Sequence, residues 1–277
     1  MTLSERNIFF KAGIGLSILC LIICIFASIK LIPVYASIEA SIAHRSEGIS
    51  QLFIGQFLDA RLVAANGSIF GMILVSLITL VLIYFFFEKT QSPEILFLGI
   101  FAASFSIETL RLVLPLEQMY EIPSLYVLLS TRILLFARNF GIFSLFASGI
   151  IAAGYVVQSY RNVVLFIIVP ALLIALGIPI DTQAWDSSLI MITGYVTMFR
   201  LVEAALFLST AISFFVAVWS KGSQKYILIG IGSVLAILGR NILLSADTWA
   251  GMSAGLVLLA VGMWLICTRL HTIYLWL

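Results

Sequence analysis

Charge is scarce in this chain. Only 10% of its 277 residues are Asp, Glu, Lys or Arg, and the formal net charge is +2. Proteins that bind nucleic acid cluster Lys and Arg on one surface, and the sequence contains no basic run of that kind. We therefore expect no nucleic-acid partner.

Histidine and cysteine are also rare, with two and three copies. Cys20 and Cys24 lie one helical turn apart, but no further Cys or His stands at the spacing that closes a tetrahedral metal site. We interpret all the cysteines as small apolar side chains. The sequence thus predicts no metal site and no cofactor, and it implies no disulfide framework.

Catalytic motifs are missing as well. The sequence has no H-E-x-x-H, no G-x-S-x-G, no P-loop and no D-D-x-x-D pair. Neither His44 nor His271 has an obvious nucleophile beside it. A non-enzymatic protein without catalytic residues is favoured, and an enzyme built on Arg and Glu alone is the alternative.

Apolar residues dominate what is present. The chain is 62% hydrophobic with a mean hydropathy of +1.17, whereas soluble domains are roughly 45–50% apolar. This composition predicts an all-α membrane protein, a single transmembrane domain over residues 1–277 in the form of a polytopic bundle of eight transmembrane helices. We place the spans at about 10–32, 68–87, 94–115, 124–154, 162–180, 195–219, 226–246 and 249–269.

Most prolines support these boundaries, because proline cannot continue the hydrogen bonds of a helix. Only Pro170 falls in the middle of a span, where it predicts a kink in the fifth helix. The prolines at or near predicted ends are Pro33, Pro93, Pro115, Pro123 and Pro179.

Lysine and arginine in the short loops predict the orientation. With a cytoplasmic N-terminus, the inner segments carry the basic residues and the later outer loops carry only acidic ones. We expect both termini in the cytoplasm and the bacterial cytoplasmic (inner) membrane as the location. The inner residues are Arg6, Lys11, Lys89, Arg161, Lys221, Lys225 and Arg269, and the outer ones Glu117, Glu121, Asp181, Asp186 and Asp247.

The first outer loop, residues 37–66, departs from this rule because it carries Arg45 and Arg61. Its apolar residues recur near a helical period, which predicts an extracytoplasmic amphipathic helix; a plain loop helix packed on the bundle is the alternative. The start of the chain resembles a signal peptide, and cleavage after Ala36 would leave seven helices. We favour a retained anchor, because the apolar run is longer than signal peptides require.

Two hairpins look alike. The stretch 84–101, YFFFEKTQSPEILFLGIF, resembles 213–232, SFFVAVWSKGSQKYILIGIG, in its apolar end, basic turn and re-entry with glycine. Such a likeness is consistent with a parallel duplication of two four-helix halves, as in several transporter folds. Chance similarity between two hairpins is the alternative.

Charged residues on four spans are predicted to meet in the outer half of the bundle. Counted at about 1.5 Å per residue along each span, all but one reach a common level, and Arg138 lies nearer the midplane. Charges at such depth normally face the bundle interior or a wet cavity. The candidate ligand-binding residues are Glu108, Arg111, Arg132, Arg138, Arg200, Glu203 and Arg240.

Two i,i+3 pairs fall in this set, Glu108 with Arg111 and Arg200 with Glu203, and each neutralises itself in part. The other three arginines are in excess. Arginine presents a planar fork of donors suited to carboxylate or phosphate, so the set predicts a pocket for an anionic or polar ligand or a lipid headgroup. Arginines that snorkel to the interface, or an ion-pair network that fixes helix register, are the structural alternatives.

The inner loops EKTQSP and SKGSQK are tight turns that cannot house a kinase or nucleotide-binding module. In architecture alone, this pattern resembles the multi-helix input modules of bacterial signalling proteins. We therefore expect a signal-transduction or accessory module that acts through its helices on a membrane or cytoplasmic protein partner. The alternatives are transport of a small anionic solute and a structural role in a membrane complex.

Overall fold

The computed structural model describes residues 3–43, 62–88, 92–120, 123–155, 159–186 and 188–274, and most of them are helical. The elements are α1 (Leu3–Ala43), α2 (Leu62–Phe87), α3 (Pro93–Ser104), a 3-10 helix (Phe105–Leu112), α4 (Val113–Tyr120), α5 (Ser124–Ala152), α6 (Tyr160–Gly177), β1 (Ile180–Asp186), β2 (Ile190–Thr193), α7 (Val196–Lys221), α8 (Lys225–Leu244) and α9 (Trp249–Tyr274).

Eight helices in the described part of the chain are long and apolar enough to cross a membrane. Helix α3, the 3-10 helix and α4 together form the third of them, Pro93–Glu117, which we call the third span. The prediction of a helical bundle with eight spans is confirmed, and most ends agree to within a few residues. The architecture is that of a multi-pass membrane protein.

Two helices continue past prolines that were predicted to lie at or near span ends. Helix α1 continues through Pro33 to Ala43, and the third span continues through Pro115. Proline lacks an N–H, and its ring clashes with the carbonyl four residues earlier, which in the third span is that of Arg111. The turns just before this point are wound as a 3-10 helix instead of an α-helix. Pro170 lies within α6, as predicted.

The third span is the central element. In its most apolar window 78% of the residues are buried, compared with 17% for α6. It packs against α1, α2 and α5. Helices α7, α8 and α9 follow one another from α5 round to α2 and so complete a ring. Helix α6 packs on the outside of α5. Polar side chains on the third span therefore face protein rather than lipid.

Glycines bring α8 and α9 into backbone contact. A Cβ added at Gly239 would lie 2.4 Å from the backbone nitrogen of Leu259, and one at Gly262 would lie 2.5 Å from that of Ala236. Such close approach is available only to glycine. Gly239 faces α9, so the next residue, Arg240, is rotated by about 100° towards the other side of α8.

A β-hairpin of β1 and β2 lies between α6 and α7, where the sequence predicted a loop. The strands are antiparallel and pair Ile180 with Thr193 and Asp186 with Ile190. The tip of the hairpin enters the bundle, because Leu189 is only 1% exposed and packs with apolar residues of α1, α2 and the third span.

The two ends of the bundle differ in content. Arg6 of α1 donates to the carbonyl oxygen of Glu88 at 3.1 Å, and His271 of α9 stacks on Phe86, so α1 begins and α9 ends at the same side. We call this side the N-terminal end and the opposite side the hairpin end. Which of them faces the cytoplasm stays a prediction.

Three predictions about the chain's organisation stay open. Most of the proposed amphipathic segment 37–66 lies outside the described residues; its first residues, 37–43, belong to α1 and its last, 62–66, to α2. Cleavage after Ala36 and the parallel duplication also remain predictions.

Candidate functional site

Glu108 and Arg111 lie in the 3-10 helix of the third span. Three residues make one turn of such a helix, so side chains three positions apart are stacked. Arg111 Nη1 lies 3.8 Å from Glu108 Oε2, which confirms the predicted i,i+3 pair, and the two side chains are 0% and 2% exposed. A 3-10 stretch of eight residues is unusually long, and inside a helix it often marks a functional hinge or strain.

Arg138 of α5 binds the same carboxylate with two hydrogen bonds. Its Nε donates to Glu108 Oε1 at 2.8 Å, and its Nη2 donates to Oε2 at 2.6 Å. This fork-to-fork geometry is the strong form of an arginine–carboxylate pair. Glu108 is therefore shared between one arginine of its own span and one of α5.

Arg240 of α8 reaches across to α7. Its Nη1 donates to Glu203 Oε1 at 2.8 Å, and its guanidinium lies 5.9 Å from the ring centre of Phe207. Nη2 also donates to the backbone carbonyl of Arg138 at 3.5 Å, which connects this pair to the one around Glu108. We call the connected set the Arg–Glu layer; its members are Glu108, Arg111, Arg138, Glu203 and Arg240.

Arg132 was predicted to belong to this set, but it lies elsewhere. Its Nη1 donates to the carbonyl oxygens of Ala175, Leu176 and Ile178 at 2.6, 3.0 and 2.5 Å. The last carbonyls of a helix have no partner within the helix and carry its negative dipole end. Arg132 thus caps the C-terminal end of α6.

Arg200 also lies outside the layer. Its side chain is exposed, and the described residues give it no ion pair. The predicted i,i+3 pair with Glu203 was wrong, because Glu203 binds Arg240 on the neighbouring helix instead. Spacing along one helix cannot show which neighbouring helix competes for a carboxylate.

The Arg–Glu layer carries three arginines and two glutamates, a surplus of one positive charge. The surplus falls on Arg111, whose Nε donates to the carbonyl of Ser188 at 2.7 Å and whose Nη2 donates to the same oxygen. Asp186, also at the hairpin tip, interacts electrostatically with Arg111. Arg111 Nη1 is buried and donates no hydrogen bond to any described residue.

A second ion pair, between a buried glutamate and a partly exposed lysine, lies at the N-terminal end and was missed. Lys221 Nζ of α7 donates to Glu94 Oε1 at 2.7 Å and to the hydroxyl of Tyr226 at 3.1 Å. Glu94 is 1% exposed. Glu94 and Lys221 stand near helix ends, where charged residues are expected at the membrane interface. The spacing of residues along α7 nevertheless indicated that Lys221 lies on the same face as Glu203. The buried residues Phe207, Thr210, Phe214 and Ala217 of α7 form a stripe at helical spacing, and Glu203 and Lys221 continue that spacing at its two ends.

A trio of serines, also missed, joins the third span to α1 and α2. Ser106 Oγ lies 2.7 Å from Ser17 Oγ and 2.8 Å from Ser76 Oγ, and all three side chains are fully buried. Serine is common at such interfaces because it lets helices approach closely while its hydroxyl is bonded. The trio therefore holds the third span against α1 and α2, on the side opposite to α5, α7 and α8, which contribute the other residues of the Arg–Glu layer.

The described residues contain no group of three or more His, Cys, Asp or Glu placed to hold a metal ion, and the three cysteines are buried and free. Comparison with known protein families, curated proteins and solved structures finds no match. The chemistry of the Arg–Glu layer is therefore the main guide to function.

Proposed function

We propose that this protein is a non-enzymatic multi-pass membrane module that binds a carboxylate- or phosphate-bearing ligand at the Arg–Glu layer. The observation that carries the proposal is the surplus guanidinium of Arg111, buried beside two ion pairs with one nitrogen lacking a hydrogen-bond partner among the described residues. A buried, unsatisfied donor of a charged group is costly, and an anionic oxygen would satisfy it.

The same site suggests how binding could be passed on. The layer joins the third span to α5, and α7 to α8, through Glu108–Arg138 and Glu203–Arg240. An anion that competes for any of these arginines changes the contacts among four spans at once. We propose that this change acts on a membrane or cytoplasmic protein partner through the outer faces of the helices.

The proposal also includes an orientation, with the N-terminal end in the cytoplasm and the hairpin end outside, in a bacterial cytoplasmic membrane. The basic residues near the N-terminal end support it. A cysteine placed at Gln224, in the exposed turn between α7 and α8, should be labelled by an impermeant maleimide only after the cells are opened. Labelling of intact cells would reverse the orientation.

Ligand-dependent stabilisation tests the proposed function. Purified protein in a neutral detergent is heated with sodium phosphate or sodium succinate, with sodium chloride of equal ionic strength as the reference. A second arm compares nanodiscs of phosphatidylglycerol with nanodiscs of phosphatidylcholine, which separates a free anion from a lipid headgroup. We expect one anion class to raise the unfolding temperature, as any ligand that binds only the folded state does.

Two variants with the same charge change make the test specific. Arg240→Gln alters the layer and should abolish the anion effect, whereas Arg132→Gln, which removes an arginine that caps α6, should retain it. If no anion stabilises the wild type, the layer is a structural ion-pair network and the structural-subunit alternative stands. If both variants respond like the wild type, the anion binds outside the layer and the proposed site is wrong.

A carrier for a small anionic solute is the second candidate, favoured by the position of the Glu94–Lys221 pair. Glu203 and Lys221 lie on one stripe of α7, roughly 27 Å apart at 1.5 Å per residue, and each forms an ion pair with a neighbouring span. Ion pairs near both ends of one helix could close two alternating openings. Uptake of labelled phosphate or succinate by proteoliposomes would support the carrier; binding without uptake supports the module.

A further inference from the structure

We propose that the tip of the β1–β2 hairpin is a releasable lid. The tip carries Asp186, Ser188 and Leu189, and it binds Arg111 at the place where the external anion would bind. The inference rests on the proposed function and names how the site is regulated. The tip is then an internal competitor, which a carboxylate or phosphate must displace.

The contacts of Arg111 carry the first step. The Nε and Nη2 atoms form the side of the guanidinium that binds two oxygens of a carboxylate or phosphate. In this structure both atoms donate to a single backbone oxygen, that of Ser188. The tip thus fills an anion-binding fork with a neutral carbonyl group.

The charge of the tip carries the second step. Asp186 interacts electrostatically with Arg111, so the hairpin supplies a negative charge as well as an oxygen. The Asp186 residue itself is exposed, and Ser188 Oγ lies 3.4 Å from its Oδ2. The carbonyl and the carboxylate together imitate an anion, although the charged group stays at the surface.

The backbone of the hairpin carries the third step. Leu189 and Tyr195, which flank β2, have φ angles of 59° and 54°, a left-handed conformation that is unfavourable for bulky residues. A hairpin of two strands is also only marginally stable by itself. Withdrawal of the tip would let Leu189 relax, so the inserted position depends on the contacts with Arg111 and on burial of Leu189.

An external anion that binds Arg111 through Nη1, which has no hydrogen-bond partner among the described residues, and through the adjacent Nη2 would form charge-assisted hydrogen bonds, and at Nη2 it would take the place of the neutral carbonyl. The two cannot occupy the same donors together. Binding should therefore expel Ser188 from the bundle and expose the hairpin tip on the hairpin end.

Charge removal at the tip is the first test. Asp186→Asn weakens the competitor, and the phosphate concentration that gives half of the thermal stabilisation should fall about fivefold. Asp181→Asn is the matched control, because it makes the same charge change at the other end of β1, and it should leave that concentration unchanged.

Accessibility of the tip is the second test. Ser188→Cys introduces a thiol at a position that is 8% exposed, whereas Tyr195→Cys places one at a position that is 70% exposed. The natural cysteines are buried, so the wild-type protein gives the background. Phosphate, or Asp186→Asn, should raise the maleimide labelling rate at position 188 at least fivefold and leave position 195 unchanged.

The outcomes separate the two proposals. If phosphate stabilises the protein while labelling at position 188 stays constant and Asp186→Asn equals Asp181→Asn, the lid is refuted and the anion site stands. If phosphate, succinate and phosphatidylglycerol all leave every variant unaffected, the proposed function fails and the tip competes with nothing. An Arg111→Met variant that leaves position 188 protected would also refute the lid, because it shows that Arg111 does not hold the tip.

Discussion

The two buried ion-pair regions of the bundle differ in what they leave unsatisfied. In the Arg–Glu layer the group without a hydrogen-bond partner among the described residues is a donor, Arg111 Nη1, whereas in the pair at the N-terminal end it is an acceptor, Glu94 Oε2. A surplus donor attracts an anion, and a surplus acceptor does not. The proposed anion site is therefore assigned to the layer and not to the Glu94–Lys221 pair.

The basic residues of the two regions also differ in their exposure. Arg111 and Arg138 have side chains that are 0% and 16% exposed, whereas Lys221 is 33% exposed. A long lysine side chain can turn its ammonium group towards the interface if its partner is lost. The arginines of the layer have much less freedom to do so, which orders the effects expected from substitution.

The largest effect is expected from Glu108→Gln, because this substitution leaves two buried arginines without their shared carboxylate. We expect a loss of about 3–5 kcal/mol in the free energy of unfolding. Equilibrium unfolding in mixed detergent micelles would measure it. Glu117→Gln is the control, because Glu117 lies in the same span but outside the layer. A similar loss in both variants would show that any charge change in this span lowers stability, whether or not the residue is ion-paired.

Hydropathy explains why the spans could be predicted and the pairs could not. An apolar run of sufficient length identifies a helix and its approximate depth, so Glu108 and Arg240 were predicted at a similar level, and in the structure they belong to one connected set. It does not give the direction in which a side chain points around the helix. Arg132 and Arg240 looked equivalent by depth, yet one caps α6 and the other binds Glu203.

Local backbone geometry was also not predicted from the sequence. Pro115 was predicted to lie at a helix end, whereas helix α4 continues through it. The residues just before α4 form the 3-10 helix that stacks Glu108 on Arg111. The hairpin was predicted as an outer loop between the fifth and sixth spans. Tertiary contacts with Arg111, distant in sequence, decide the position of this segment.

An intermediate effect is expected from Glu94→Gln. This substitution leaves a single, partly exposed lysine without its carboxylate partner, so we expect a decrease of about 1–2 kcal/mol in the free energy of unfolding. The same unfolding measurement applies, with Lys221→Gln beside it. A decrease as large as that of Glu108→Gln would remove the energetic difference between the two regions.

The smallest effect is expected from Arg200→Gln. This exposed side chain makes no ion pair in the described part of the chain, so the free energy of unfolding should change by no more than about 0.5 kcal/mol. The anion-dependent rise in unfolding temperature should also persist. A marked loss of either would mean that Arg200 belongs to the site after all.

The most direct test of the central claim counts bound anions in the two regions. Native mass spectrometry of the protein with phosphate or phosphatidylglycerol is carried out on the wild type, Arg111→Gln and Lys221→Gln, which carry equal charge changes at the layer and at the N-terminal end. We expect the wild type and Lys221→Gln to retain one bound anion and Arg111→Gln to lose it. Retention by Arg111→Gln together with loss by Lys221→Gln would contradict the assignment of the anion site to the Arg–Glu layer.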